Sequence, residues 1–198
     1  MLSLEKGDSL IDASVNKVTK KSKAKSALKF IFGCVIMIII SASLVLLGRT
    51  FVFGLYSIPS SSMEPTLNVG DNVFAWRYPF AGSIEQGDIV TFNDPEKPGR
   101  ILIKRVIATG GQTVDLKDGK VYIDGKVYSD SHEIGESNEL AKSNIVFPYK
   151  VPEDSVWLMG DNREHSSDSR MFGAIPTSEI IGKAVRIYAP SSHAGSLD

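Results

Sequence analysis

The sequence FIFGCVIMIIISASLVLLG, residues 30–48, holds nineteen residues without a charge, between Lys29 and Arg49. A helix rises about 1.5 Å per residue, so this stretch matches a hydrocarbon core of about 30 Å. It predicts a single transmembrane helix. The chain then divides into an N-terminal arm (1–29), the helix (30–48), a main domain (49–190) and a flexible tail (191–198).

Charge on the two sides of this helix predicts its orientation. Residues 1–29 carry seven lysines against three acidic residues, whereas no charge follows Arg49 until Glu64. Because basic residues stay on the cytoplasmic side, we expect a single-pass plasma-membrane protein with a cytoplasmic N-terminus. The domain from residue 49 onward would lie on the exterior side.

A cleaved signal peptide is the competing interpretation of the same stretch. The apolar core of a signal peptide is typically about 7 to 15 residues long, and small residues follow it at the cut. Here Ser41, Ala42 and Ser43 are small, but the apolar run continues through Leu47. An uncleaved anchor therefore fits better.

The region after the helix is large enough for one domain with its own core. Residues 50–198 contain 14 basic and 20 acidic residues, a net charge of −6. An acidic domain without a basic stripe argues against a nucleic-acid partner.

Short runs of β-branched and aromatic residues alternate with turn residues in this region, which predicts a mainly β fold of antiparallel strands. The dipeptides Asp118-Gly119 and Asp124-Gly125 tolerate positive φ and predict two successive hairpin turns. We expect residues 129–143, which hold three glutamates and few apolar residues, to form an exposed, mobile loop. The predicted strands include residues 89–92, 101–103, 121–123 and 156–159.

The scarcity of cysteine and histidine excludes several chemistries. Cys34 is the only cysteine and lies within the apolar stretch, so the main domain has no thiol nucleophile. His132, His165 and His193 lack the spacing of a zinc site or a recognisable serine triad. We expect no metal and no cofactor.

A serine nucleophile remains, provided that a base accepts its proton. Ser62 lies in a serine cluster before a proline, a pattern that is ordinarily a loop. Lys104 interrupts an apolar strand-like run, and burial lowers the pKa of a lysine enough for it to act as a general base. Strand alternation alone, however, places Lys104 opposite Ile103 and Arg105 and favours a solvent-exposed lysine.

Four blocks of sequence, in this order after one N-terminal span, resemble type I signal peptidases, which are membrane-anchored Ser/Lys endopeptidases. They are IPSSSMEPTL (58–67), GDIV (87–90), IKRV (103–106) and GDNREHSSDSRMFG (160–173). The resemblance covers most of residues 50–190. It implies a signal-peptidase-like β-rich domain that cuts signal peptides from exported preproteins.

The resemblance also implies a role for each matching residue. Ser62 would be the nucleophile and Lys104 its general base, with the Ser60 hydroxyl and the Ser62 N–H forming the oxyanion hole. Ser166 would hydrogen-bond Lys104, and Asp168 would pair with Arg105 and Arg170.

Substrate recognition follows from the same resemblance. Shallow apolar subsites formed by Tyr56, Ile58 and Ile103 would accept small residues in an Ala-x-Ala site. Apolar residues near the start of the domain are either core or a surface that contacts the lipid bilayer, where Trp and Tyr are enriched. They are Phe51, Phe53, Leu55, Trp76, Tyr78 and Phe80.

Two other functions are compatible with parts of the pattern. A self-cleaving Ser/Lys repressor-type protease would have a DNA-binding N-terminus instead of an apolar span. A catalytically inactive, membrane-tethered β-rich binding protein would lack Ser62 or Lys104, and both residues are present.

Overall fold

A computed structural model describes residues 29–140 and 143–197 of this chain. The chain separates into two compact units, residues 1–48 and 49–198. The predicted arm, residues 1–29, lies almost wholly outside the described residues.

The apolar stretch forms one helix, α1 (Lys29–Phe51), which is long and apolar enough to cross a membrane by length and composition. Its side chains are exposed within the described structure, as expected for a helix that faces lipid. The helix is a few residues longer than the predicted span 30–48.

The second unit is built from antiparallel strands, as predicted. The larger sheet has the order β1-β2-β11-β3-β4-β9-β10, with β12 beside β11, and the smaller has the order β7-β6-β5-β8. The strands are β1 (Phe53–Ser57), β2 (Asn72–Arg77), β3 (Ile89–Asn93), β4 (Ile101–Thr109), β5 (Thr113–Lys117), β6 (Lys120–Ile123), β7 (Lys126–Tyr128), β8 (Tyr149–Lys150), β9 (Ser155–Met159), β10 (Ile175–Pro176), β11 (Ile180–Ala189) and β12 (Gly195–Ser196).

Helical structure in this unit is short. One α-helical turn, α2, covers Ser169–Phe172, and 3₁₀ turns cover Ser61–Met63, Arg163–His165 and Thr177–Glu179. The first two of these 3₁₀ turns lie in the sequence blocks that contain Ser62 and Gly160.

Both Asp-Gly hairpins are confirmed. Asp118 and Gly119 have φ of 50° and 72°, and Asp124 and Gly125 have φ of 51° and 77°. Two consecutive positive φ values give the twist that joins neighbouring antiparallel strands tightly, and here they connect β5 to β6 and β6 to β7.

Apolar residues from both sheets form the core. One cluster, around Trp157 and Ile107, packs between the smaller sheet and β9. A second, around Met63, Leu67 and Ile89, lies on the larger sheet beneath the loop that follows β1. A third, around Phe92 and Leu158, packs on β3, β4 and β9 of the larger sheet.

Two sequence expectations need correction. The predicted flexible tail is ordered up to residue 197, because β12 pairs with β11 and Leu197 packs against the core. The second correction is partial: most described residues of the segment predicted as an exposed loop, 129–143, are exposed, but Ser137 is only 2% exposed and Ile134 bridges to Asn162. Glu133 and Ser137 contact the buried Arg163, whereas most of the other polar residues of the segment are exposed.

Candidate active site

Ser62 lies on the loop between β1 and β2, residues 58–71, which we call the serine loop, and hydrogen bonds tie its two ends together. The Ile58 N–H donates to the Asp71 carbonyl at 2.8 Å, and the Gly70 N–H donates to the Ile58 carbonyl at 2.9 Å. Within this loop Met63 and Leu67 are fully buried on the larger sheet. Because these apolar side chains fix the loop, the neighbouring Ser62 hydroxyl is held in one place rather than moving with a free turn.

Lys104 reaches this hydroxyl from the centre of the larger sheet. It belongs to β4, which pairs with β3 on one side and with β9 on the other. The lysine is 3% exposed and Ser62 is 8% exposed. The Lys104 Nζ lies 2.5 Å from the Ser62 Oγ, so the structure brings the two predicted residues into direct contact.

The surroundings of Lys104 favour its neutral form. Burial is the largest effect and lowers the pKa of the amine to about 8, from an ordinary value of 10.5. The negative charges of Asp168 and Asp161 act against this shift, and the positive charges of Arg100 and Arg170 support it. An amine with this pKa is available as a proton acceptor near neutral to mildly alkaline pH.

Ser60 stands next to the nucleophile candidate. Its Oγ lies 3.5 Å from the Ser62 Oγ. Ser60 precedes the 3₁₀ turn that contains Ser62, yet its side chain does not cap that turn. The exposed Ser60 hydroxyl is therefore available to a ligand bound at Ser62.

The ion pairs around this site differ from the predicted ones. Asp168 accepts from Arg170 through both oxygens, each at 2.9 Å, as expected. Arg105, however, donates to Asp161 at 2.9 and 2.7 Å rather than to Asp168. The strand register explains the difference, because Arg105 pairs with Met159, and Asp161 follows two residues later.

The predicted hydrogen bond from Ser166 to Lys104 is also absent. The buried Ser166 Oγ has no hydrogen-bond partner within the described part of the chain. The hydroxyl instead packs against Gly160, where an added Cβ would lie 2.4 Å from it.

Three neighbouring residues were not assigned a role from the sequence. The Asn162 N–H donates to the Ser62 carbonyl at 3.2 Å, and its amide donates to the Ser61 carbonyl at 3.3 Å. The Thr66 hydroxyl donates to Asp161 at 2.5 Å. The block 160–173 indicated this region, but the sequence alone did not predict that Asn162 donates to the backbone of the serine loop.

A small apolar cleft of about 260 Å³ lies beside the serine loop. Tyr56, Ile58 and Ile103 all line it, so the structure brings the three predicted subsite residues together. Ile58 is buried and Tyr56 is half-buried. Thr91 and Pro59 are among the other residues that line it, and a cleft of this size suits small side chains.

The chain is similar in sequence to known proteins over most of its length. Residues 31–189 match the family described as signal peptidase, peptidase S26. The chain is 36% identical over 186 residues to a probable signal peptidase I-1 of Synechocystis, covering 90% of this chain and 92% of that protein. It is 32% identical to the signal peptidase I of Bacillus licheniformis, covering 90% and 99%. A crystal structure of a signal peptidase I from Enterococcus faecalis V583 superimposes with a TM-score of 0.42 at 26% identity, covering 51% of this chain and 96% of that one.

Proposed function

Because this chain belongs to the signal peptidase family, peptidase S26, we propose that it cuts signal peptides from exported preproteins with Ser62 and Lys104. It is a serine endopeptidase, and the Ser/Lys mechanism is general for the family. The contact of 2.5 Å between a buried lysine amine and the Ser62 hydroxyl carries the assignment to these residues.

In the proposed reaction, the neutral Lys104 amine takes the proton of the Ser62 hydroxyl as the oxygen attacks the scissile carbonyl. The tetrahedral intermediate collapses, and the Lys104 ammonium gives its proton to the leaving amine. A water molecule then attacks the Ser62 ester, again with Lys104 as base. This step releases the signal peptide with a free carboxylate and restores the serine.

The oxyanion of each intermediate would be bound by the Ser60 hydroxyl and the Ser62 backbone N–H. Fixed donors of this kind stabilise charge that develops only in the transition state, and losing one typically costs about 10² to 10³ in rate. The support here is the position of the Ser60 Oγ, 3.5 Å from the Ser62 Oγ and not used as a cap.

The cleft lined by Tyr56, Ile58 and Ile103 would select small residues before the cut, as in an Ala-x-Ala site. Its volume of about 260 Å³ and its apolar lining support this assignment. β1 is the edge strand of the larger sheet and carries Tyr56. An extended substrate would add to such an edge by backbone hydrogen bonds.

The alternative of an inactive, tethered binding protein is not favoured. A protein of that class has no need of a lysine buried to 3% exposure beside a serine hydroxyl. Burying a lysine amine costs free energy of folding, and a binding protein gains nothing from it at this position.

The decisive experiment compares the purified chain with its Ser62→Ala variant on one labelled preprotein that has an Ala-x-Ala site. We expect the unaltered protein to release the signal peptide and the variant to release none, because alanine lacks the hydroxyl oxygen that attacks the scissile carbonyl. Binding of the preprotein by both proteins, with cleavage by neither, would instead support the tethered binder.

The membrane arrangement is a second part of the proposal. We expect α1 to anchor the chain with the N-terminus in the cytoplasm and the main domain on the exterior of the plasma membrane. An exposed apolar surface on the main domain would rest in the lipid interface, where Trp and Tyr are enriched. It includes Leu55, Trp76, Tyr78 and Phe80, which are 46%, 40%, 51% and 60% exposed.

Cysteine labelling tests this orientation, because Cys34 is the only cysteine and is removed by Cys34→Ser. A single cysteine is then introduced as Ser9→Cys in the arm or as Ser129→Cys in the domain. We expect a membrane-impermeant maleimide to label only the Ser129→Cys variant in intact cells, and both variants after lysis. Labelling of Ser9→Cys in intact cells would reverse the orientation.

A further inference from the structure

The segment between β7 and residue 138 crosses over the block that contains Asn162. We call residues 130–138 the strap. The Ile134 N–H donates to the Asp161 carbonyl at 2.8 Å, and the Arg163 N–H donates to the Ile134 carbonyl at 2.9 Å. The strap therefore binds the backbone on both sides of Asn162, the residue whose N–H and side chain donate to the serine loop.

A buried arginine fixes the strap to the same block. Arg163 is 0% exposed, and its Nη1 donates to the Ser137 Oγ at 2.6 Å and pairs with Glu133 at 2.7 Å. Its Nε donates to the Gly160 carbonyl at 3.0 Å. One guanidinium thus connects the strap to the residue that packs against the Ser62 carbonyl.

The strap is itself anchored at both ends. The Ser137 N–H donates to the Gly119 carbonyl at 2.7 Å, which ties it to the hairpin between β5 and β6. Asp130 lies 3.3 Å from the Nε of Arg105, the neighbour of Lys104 in β4. Its contacts therefore reach the strand of the lysine as well as the loop of the serine.

We propose that the strap positions the Ser62–Lys104 pair, with Ser137 and Glu133 as positioning residues that act through Arg163 and Asn162. The proposal rests on the proposed function, because it concerns the geometry of the same pair. Neither residue touches the apolar cleft. Loss of either one leaves substrate binding intact and loosens the arrangement on which the chemical step depends, where a displacement of about 1 Å costs on the order of 10² in rate.

The test measures kcat and KM of the full chain on a preprotein, for Ser137→Ala and for Glu133→Gln. We expect kcat to fall about 10- to 100-fold with KM changed less than about twofold. Ser131→Ala is the matched control, because Ser131 belongs to the strap but is exposed. We expect Ser131→Ala to have the same kcat as the unaltered protein.

The pH profile separates positioning from partial unfolding. A loosened strap admits water to Lys104, so the acidic limb of kcat moves toward higher pH, by about one pH unit. A smaller folded fraction lowers the whole profile and leaves the limb in place. If Ser137→Ala does not fold, the pH profile of Glu133→Gln, which keeps the size of the side chain, distinguishes positioning from unfolding.

Unchanged kcat in the folded variants, a loss confined to KM, or a profile lowered without a shift would each overturn the positioning role. The unaltered protein and Ser62→Ala run in the same assay. If the unaltered protein does not cleave, the proposed function fails, whereas normal cleavage by both strap variants removes only this proposal.

Discussion

Lys104→Met lowers kcat for preprotein cleavage by about 10² to 10⁴-fold, the range that general acid–base catalysis contributes. Methionine has nearly the length of lysine but no amine, so the Ser62 hydroxyl loses its proton acceptor. The position is 3% exposed, and an apolar side chain of similar volume is well tolerated there. We therefore expect the variant to fold and to bind substrate.

The pH dependence gives the same hypothesis a second test. The working form is the neutral amine, and burial lowers its pKa to about 8. Activity of the unaltered protein should therefore fall as the pH drops below about 8 and the amine becomes protonated. The residual activity of Lys104→Met should not fall in this way below a pH of about 8. A rate independent of pH between about 6 and 9 would contradict the role of Lys104.

Lys183→Met supplies the matched control for the lysine substitution. The Lys183 side chain is 24% exposed and pairs with Asp88 at 2.7 Å on the same sheet. The variant loses one partly exposed ion pair, and such pairs contribute little to folding stability. Its activity should therefore stay close to that of the unaltered protein. Near-normal turnover by Lys104→Met, measured beside this control, would exclude Lys104 as the base.

Much of the fold could be predicted because local chemistry dictates it. The uncharged apolar stretch 30–48 predicts a helix, and α1 contains it. The Asp-Gly pairs accept positive φ, so both hairpins were predictable from two residues each. The order of strands in the sheets was not, because it depends on pairings between residues far apart in the chain.

The burial of Lys104 shows the limit of periodicity. Alternation along β4 assumes one wet face, but residues 104–108 are all buried. Ser62 and Asp161 cover Lys104 and Arg105, and the apolar clusters around Trp157 and Leu158 cover residues 106–108, so both faces of the strand are covered. The apolar run around Lys104 was compatible with a buried lysine, and the resemblance to signal peptidases favoured it.

The partners of the charged residues were the least predictable part of the site. Asp161 takes the position beside Arg105 that was expected for Asp168, and the choice follows from a strand register that the sequence does not display. The strap looked like an exposed loop because its glutamates and serines are polar. Glu133 and Ser137 instead contact the buried Arg163. These contacts depend on tertiary packing, which the polarity of the residues does not predict.

Gly160→Ala is expected to reduce kcat by about 10² or more, although it adds one methyl group and removes no functional atom. An added Cβ would lie 2.4 Å from the carbonyl oxygen of Ser62 and 2.4 Å from the Ser166 Oγ. Contacts this short force movement, and the Ser62 carbonyl moves only with the Ser62 backbone. That displacement breaks the contact between the Ser62 hydroxyl and the Lys104 amine.

Two further variants identify which neighbour is responsible. Gly195→Ala is the control, because an added Cβ there meets no atom within 4 Å, and its activity should be unchanged. The double variant Gly160→Ala with Ser166→Gly removes the side-chain clash and keeps the clash with the Ser62 carbonyl, so it should stay inactive. Recovery of activity in the double variant would show that Ser166 causes the defect. Full activity of Gly160→Ala alone would mean that cleavage does not require the serine backbone to stay in this position.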